Sequence, residues 1–210
     1  MGVLMEKLYD NLDQAKAFQL SFTNFVDIYD DTCLMDYAEE ICDRCGKAVQ
    51  NRDYLIPKSR CKKPYGILSS CEFGVNKELR DELIKRFDIT DNDFRPIRNK
   101  RGEIVFYQIT PQHTMQPIFK ENGWLPYACS KCGSIRYSCA EQENEKGEFY
   151  YYISQEALDG MHDLNITFER FDTHDPLYII SKRVYEFLVE HFPRTHYFPF
   201  FLKRDITQRT

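Results

Sequence analysis

Two short stretches constrain this chain more than any others: Cys42-Asp43-Arg44-Cys45-Gly46 and Cys129-Ser130-Lys131-Cys132-Gly133. Each reads C-x-x-C-G. A two-residue spacer lets one tight turn aim both sulfurs at a single point, and the glycine that follows tolerates the positive φ such turns require. Two turns of this kind supply four thiolates, the number a closed tetrahedral Zn²⁺ site takes. Cys42, Cys45, Cys129 and Cys132 are therefore read as the ligands of one structural zinc. A redox C-x-x-C would sit at the start of a helix within a βαβ pattern, and neither copy does. The 83 residues between the pairs (46–128) exceed the spacing of a small autonomous finger. The expectation is a clip that joins two distant parts of the chain.

Composition narrows the class. At 210 residues the chain is one domain or two small ones, and 42% hydrophobic residues, with 16 Phe and 14 Tyr, supply a sizeable core. A net charge of −5 opposes general affinity for nucleic-acid phosphates, which requires clustered Lys and Arg. Eight cysteines raise the alternative of a secreted disulfide scaffold. The opening Met1-Gly2-Val3-Leu4-Met5-Glu6-Lys7 lacks the apolar core of a signal peptide, and no apolar run reaches membrane-spanning length. The expectation is a cytoplasmic protein with reduced thiols and no membrane partner. Cys33, Cys61, Cys71 and Cys139 are unpaired in sequence and read as small buried hydrophobes, with replacement of a knuckle ligand as the alternative for Cys33 or Cys61.

Along the chain, Phe18–Thr23 alternates apolar and polar, the pattern of a half-buried strand. Tyr54-Leu55-Ile56 reads as a short strand stopped by Pro57. Asn76 is placed to cap a helix that carries Leu79, Leu83 and Phe87, with acids in its first turns. Asn99-Lys100-Arg101-Gly102 is a hairpin turn between Ile97 and Ile104. Phe149–Ile153 is an aromatic strand, and Ser154 caps a helix expected to carry Ala157, Leu158, Met161 and Leu164. Leu177–Ile180 is a strand, Ser181 a cap, and Val184, Phe187 and Leu188 the inner face of a last helix before the apolar strand Tyr197–Leu202. The segments starting at Val75 and Ile180 echo each other: strand end, polar cap, amphipathic helix, then aromatic-x-Pro-apolar (Phe94–Ile97 and Tyr197–Phe200). The fold expected is α+β: mixed sheets, a few amphipathic helices, and two pseudo-similar lobes, 1–118 and 119–210, within one domain clipped by the four-cysteine zinc knuckle pair.

The two C-x-x-C-G copies at this distance, with Ile179-Ile180-Ser181-Lys182-Arg183-Val184-Tyr185 and the terminal Phe198-Pro199-Phe200, resemble the bacterial double-CXXCG motif proteins. The resemblance covers most of the chain from about Cys42 onward. Some members of that family are immunity proteins that protect a cell from a toxin delivered between siblings. The resemblance implies a zinc-bound, non-enzymatic α+β protein that binds and blocks a toxin, and it supplies no catalytic residues.

Enzyme signatures are missing from the sequence. There is no phosphate-binding G-x-x-x-x-G-K-[ST], no G-x-S-x-G, no H-E-x-x-H and no G-x-G-x-x-G. Of the five histidines, His113 lies nearest the second knuckle as an alternative ligand or base; His174 sits between carboxylates in a polar turn; His191 and His196 flank Pro193 at a helix end. Phe149–Tyr152 reads as core and sheet face, with base stacking as its alternative. Trp124 reads as a cover for the zinc site, with a partner anchor as its alternative. Function is thus expected to be that of an interaction protein, with a zinc-knuckle nucleic-acid binder, using Arg44, Lys47, Lys131 and Arg136, as the competing reading.

Overall fold

A computed structural model describes residues 11–21, 42, 44–45, 67–69, 73–98, 101–138, 142–143, 147, 149–171, 176–192 and 196–203. The expected strand at Tyr54–Ile56, His174 and Cys33, Cys61, Cys71 and Cys139 lie outside the described residues. The chain groups into two compact units that interleave in sequence. Unit 1 is Met1–Ser21, His113–Ala128 and Ile135–Thr210; unit 2 is Phe22–Gln112 and Cys129–Ser134. The class is α+β, with several sheets and few helices.

Unit 2 holds a four-stranded antiparallel sheet. Its strands are β2 (Ile67–Ser69), β3 (Phe73–Val75), β4 (Phe94–Arg98) and β5 (Ile104–Ile109), in the order β2-β3-β5-β4. β4 and β5 form the expected hairpin, with a register shift between Ile97 and Arg98. Helix α1 (Lys77–Arg86) follows β3. The Asn76 side chain accepts from the Leu79 amide, which satisfies one of the donors a helix start leaves open. Leu79 and Leu83 are its buried residues, and the helix packs on β5. Its outer face is ionic: Lys77 pairs with Asp81, and Arg86 with Glu82. Arg80 lays its guanidinium 4.5 Å from the Tyr107 ring centre.

Unit 1 is built on a six-stranded sheet in the order β10-β11-β1-β12-β9-β8. The strands are β1 (Ala17–Ser21), β8 (Gln142–Glu143), β9 (Phe149–Ile153), β10 (Leu164–Ile166), β11 (Tyr178–Ser181) and β12 (His196–Leu202). Pairing is antiparallel throughout except β12 with β9, which run parallel. β1 is a central strand, not a half-buried one: Ala17, Phe18 and Leu20 are all buried because both faces of the sheet are covered. On one face Ala17, Ile179, Phe200 and Tyr151 join Trp124, Ile118 and Phe171 in a core. On the other, helix α4 (Lys182–His191) packs on β1 and β11 and stacks Tyr185 on Phe18, ring centres 3.6 Å apart. α4 buries Val184, Tyr185, Phe187 and Leu188, and the Ser181 hydroxyl accepts from the Val184 amide as its cap.

Two short helices complete this unit: α2 (Phe119–Asn122) and α3 (Gln155–Asp159). Ser154 caps α3 through the Ala157 amide as expected, but α3 stops at Gly160. Leu164 belongs to β10, not to that helix. The apolar spacing that linked Ala157 to Leu164 crosses a helix end, and the buried Asn165 holds the intervening turn by accepting from His162 N and donating to His162 O. Strands β6 (Pro126–Ala128) and β7 (Ile135–Tyr137) form a separate antiparallel hairpin, with Tyr127 opposite Arg136.

Candidate metal centre

The second knuckle is the loop that joins β6 to β7. The Cys129 amide donates to the Ser134 carbonyl (2.9 Å), and the Gly133 amide donates to the Cys129 carbonyl (2.8 Å). That closure puts Gly133 at φ 72°, the left-handed region where a side chain is strained. Space is not the constraint, since a methyl there would meet nothing within 4 Å. In the first knuckle the Cys45 amide donates to the Cys42 carbonyl at 3.2 Å. The described hydrogen bonds differ, spanning three residues in the first knuckle and four in the second, and each turn brings its two sulfurs within 4.8 Å.

The two knuckles meet inside unit 2. The Sγ atoms of Cys42, Cys45, Cys129 and Cys132 all lie within 4.8 Å of one another, and among the described residues this is the one cluster of three or more His, Cys, Asp or Glu placed to hold a metal. Cys42 Sγ lies 4.0 Å from Cys129 Sγ, and Cys45 Sγ lies 3.6 Å from Cys132 Sγ. No pair is bonded as a disulfide. Sulfurs at the corners of a tetrahedron with metal–sulfur bonds of about 2.3 Å stand about 3.8 Å apart. Those two distances lie on either side of that edge and no pair exceeds 4.8 Å, so the four sulfurs are close enough together, and of the right number, to hold one metal ion. Four sulfurs close the coordination sphere, which distinguishes a structural site from a catalytic one with an open position. An all-thiolate tetrahedron suits Zn²⁺ and iron alike, so the geometry by itself selects a class of metal.

The electrostatics favour thiolates. The Cys132 thiol is pulled down to about 6, first by the Ser134 hydroxyl, 2.9 Å from its sulfur, and then by the Ser134 amide. The amides of Cys132 and Lys131 pull the Cys129 thiol down as well. Hydrogen bonds to the charged form stabilise it, and a thiolate is the form that binds metal. Cys45 and Cys129 are buried, Cys42 is half-buried, and Cys132 is exposed. One corner of the site therefore faces solvent.

Other candidates fall elsewhere. His113 is half-buried, and its ring lies 4.1 Å from that of His162, outside the sulfur cluster. Trp124 is 1% exposed, set edge-on between Tyr151 and Phe171 in the core of unit 1, so it is not a surface anchor. Tyr151 is buried in the same core and Tyr150 and Tyr152 are half-buried, as the core-and-sheet-face reading expected. Two residues escaped the sequence reading. Ser134 stands directly after the second C-x-x-C-G, so its position was a usable signal for a sulfur-bonding hydroxyl. Glu169 carried no signal. It is fully buried, and one carboxylate oxygen accepts from the Ile118 and Phe119 amides at 2.7 and 2.8 Å. Burial pushes its carboxyl up.

Among the described residues no helix is long and apolar enough to cross a membrane. Comparison of this chain with models of protein families, with curated proteins and with solved structures gives no match.

Proposed function

We propose that this chain is a non-enzymatic interaction protein stabilised by a structural zinc on Cys42, Cys45, Cys129 and Cys132, and that it acts as an immunity protein that binds and neutralises a bacterial toxin. The observation that carries the reading is the meeting of four sulfurs from two C-x-x-C-G turns within 4.8 Å. A closed thiolate set has no position for substrate, so the metal's contribution is to folding. Structural zinc binds model peptides with on the order of 10 kcal/mol or more at neutral pH, much of it folding energy. Zinc is preferred to iron because nothing in a closed structural clip calls for a redox metal. The toxin-binding part rests on the resemblance to double-CXXCG proteins.

Two measurements test the parts separately. Elemental analysis of the purified chain should give one zinc per molecule. Co-expression with the toxin encoded beside its gene should rescue growth, and the purified pair should form a stable complex. Iron in place of zinc would overturn the first part. Full toxicity despite expression of the folded protein would overturn the second.

A further inference from the structure

The four sulfurs of the cluster do not face solvent equally. Cys45 and Cys129 are 8% and 5% exposed and Cys42 is half-buried, whereas Cys132 is exposed. As ligands of one ion all four would carry the same thiolate form, so access is what separates them toward an oxidant arriving from solvent. A small peroxide meets Cys132 first. Beside its sulfur stand the Ser134 hydroxyl at 2.9 Å and Cys45 Sγ at 3.6 Å. A second sulfur contact, Cys42 to Cys129 at 4.0 Å, likewise runs from one knuckle to the other.

We infer that Cys132 is the oxidation point of this cluster, and that a hydroperoxide couples it to Cys45 in a disulfide between the knuckles and not within either C-x-x-C. This goes beyond the function proposed above and rests on it only for the zinc that oxidation displaces. In the first step the Cys132 thiolate attacks one oxygen of hydrogen peroxide. The O–O bond breaks, the sulfur becomes a sulfenic acid, and the other oxygen leaves as hydroxide. In the second step the Cys45 thiolate attacks the Cys132 sulfur. The S–S bond forms and the sulfenic oxygen leaves as a second hydroxide. The two thiolates have then given up two electrons, and the peroxide is reduced to two waters once both hydroxides take up protons. A disulfide places its sulfurs about 2 Å apart, so closure from 3.6 Å asks for a shift of about 1.5 Å.

The choice of partner decides what becomes of the clip. A bond within one C-x-x-C would release the two turns from each other. A bond from Cys45 to Cys132 takes away two of four ligands and so opens the closed thiolate set, yet it ties together two residues 87 apart in sequence. Oxidation thereby exchanges an ion for a covalent link and leaves the knuckles joined.

Trypsin makes this connectivity readable. Arg44 precedes Cys45 and Lys131 precedes Cys132, so the protease cuts between the two cysteines of each knuckle. The purified full chain is treated with stoichiometric hydrogen peroxide, its remaining thiols are blocked with N-ethylmaleimide, and the tryptic peptides are mapped by mass spectrometry. A parallel sample contains dimedone to trap sulfenic acid. The expected result is a crosslink between peptides 45–47 and 132–136, with dimedone on 132–136 several-fold above the peptides that hold Cys42, Cys45 or Cys129. Zinc release, followed with a chromogenic chelator, should rise in step with the crosslink. Cys132 joined to any cysteine other than Cys45, first labelling at one of the buried cysteines, Cys132 carried to the sulfinic acid without a crosslink, or intact thiols after excess peroxide overturns the inference. The zinc reading fails by a different result. A chain purified without zinc that still forms the Cys45–Cys132 link keeps the inference and sinks the zinc, while a zinc-loaded chain that pairs Cys129 with Cys132 does the reverse.

Discussion

The segments around α1 and α4 share one local design and differ in what lies beneath them. Each is a strand end, a polar cap that accepts from the helix's third amide, and a ten-residue helix. α1 buries two residues, Leu79 and Leu83, and covers its outer face with ion pairs. α4 buries four, including Tyr185 stacked on Phe18. The units follow their helices. Of the eleven largest fully buried side chains among the described residues, nine belong to unit 1, and only Phe106 and Leu79 to unit 2. The four-cysteine cluster also belongs to unit 2. The same capped helix can therefore serve a unit with a large apolar core or one with fewer large buried side chains and a four-cysteine cluster.

The sharpest way to break this comparison is to remove the metal. On the zinc site proposed above, Cys45→Ser, Cys132→Ser or a strong chelator should collapse amide-exchange protection in α1 and β3–β5, because binding energy of order 10 kcal/mol would act as folding energy for that unit. Protection in β1, β11, β12 and α4 should largely survive. Uniform loss of protection across both units would show that the apolar unit is not independently held. The converse experiment is Trp124→Ala, which empties the centre of the core of unit 1 and should cost about 3–5 kcal/mol there, read as a fall in thermal stability. Metal content should be unchanged. Next come the caps: Asn76→Ala and Ser181→Ala should each cost about 1 kcal/mol in chemical denaturation, the first lost on the unfolding of unit 2 and the second on that of unit 1.

Two pH effects complete the series. The Glu169 carboxyl is raised above its ordinary value of 4.5, chiefly by desolvation. The folded state therefore holds this proton more tightly than the unfolded one. The contribution is fully present below pH 4.5 and is lost as pH rises through the folded value. Glu169→Gln should remove that slope from the stability of unit 1 and leave unit 2 unaffected. At the four-cysteine cluster, the lowered Cys132 thiol keeps its thiolate to lower pH, and the proposed zinc should be retained there. Ser134→Ala removes the largest cause of that lowering, and the midpoint of acid-induced metal release should move upward by a fraction of a pH unit. An unchanged midpoint would mean that the metal, once bound, outweighs the hydroxyl.

The legible parts of this molecule were those set by short-range chemistry. The two knuckles, the caps Asn76, Ser154 and Ser181, the Ile97–Ile104 hairpin and the strands at Phe149 and Tyr197 all follow from a few adjacent residues and were read from them. What escaped depends on partners remote in sequence. β1 alternates like a half-buried strand, and only α4 packed on one face and the Trp124 core on the other reveal that both faces are covered. Leu164 fits a helical period and yet belongs to a strand, because Gly160 and the Asn165 turn intervene. Trp124 sits five residues before a ligand, which drew it toward the metal in the linear reading, whereas its ring packs between Tyr151 and Phe171. The four sulfurs were the exception among long-range features, since a repeated ligand motif states its own pairing.

The position of β1 has a consequence for the order in which the newborn chain takes shape. Both of its neighbours in the sheet, β11 and β12, come from residues 178–202, so among the described strands the first to be synthesised waits for the last. Everything described in unit 2, its sulfurs included, has been made once Ser134 is added. At roughly 5–20 residues per second, several seconds of translation separate those two moments. Ribosome-arrested chains stopped before His196 should already retain metal while β1 stays open to protease; chains arrested beyond Leu202 and its exit path should protect it.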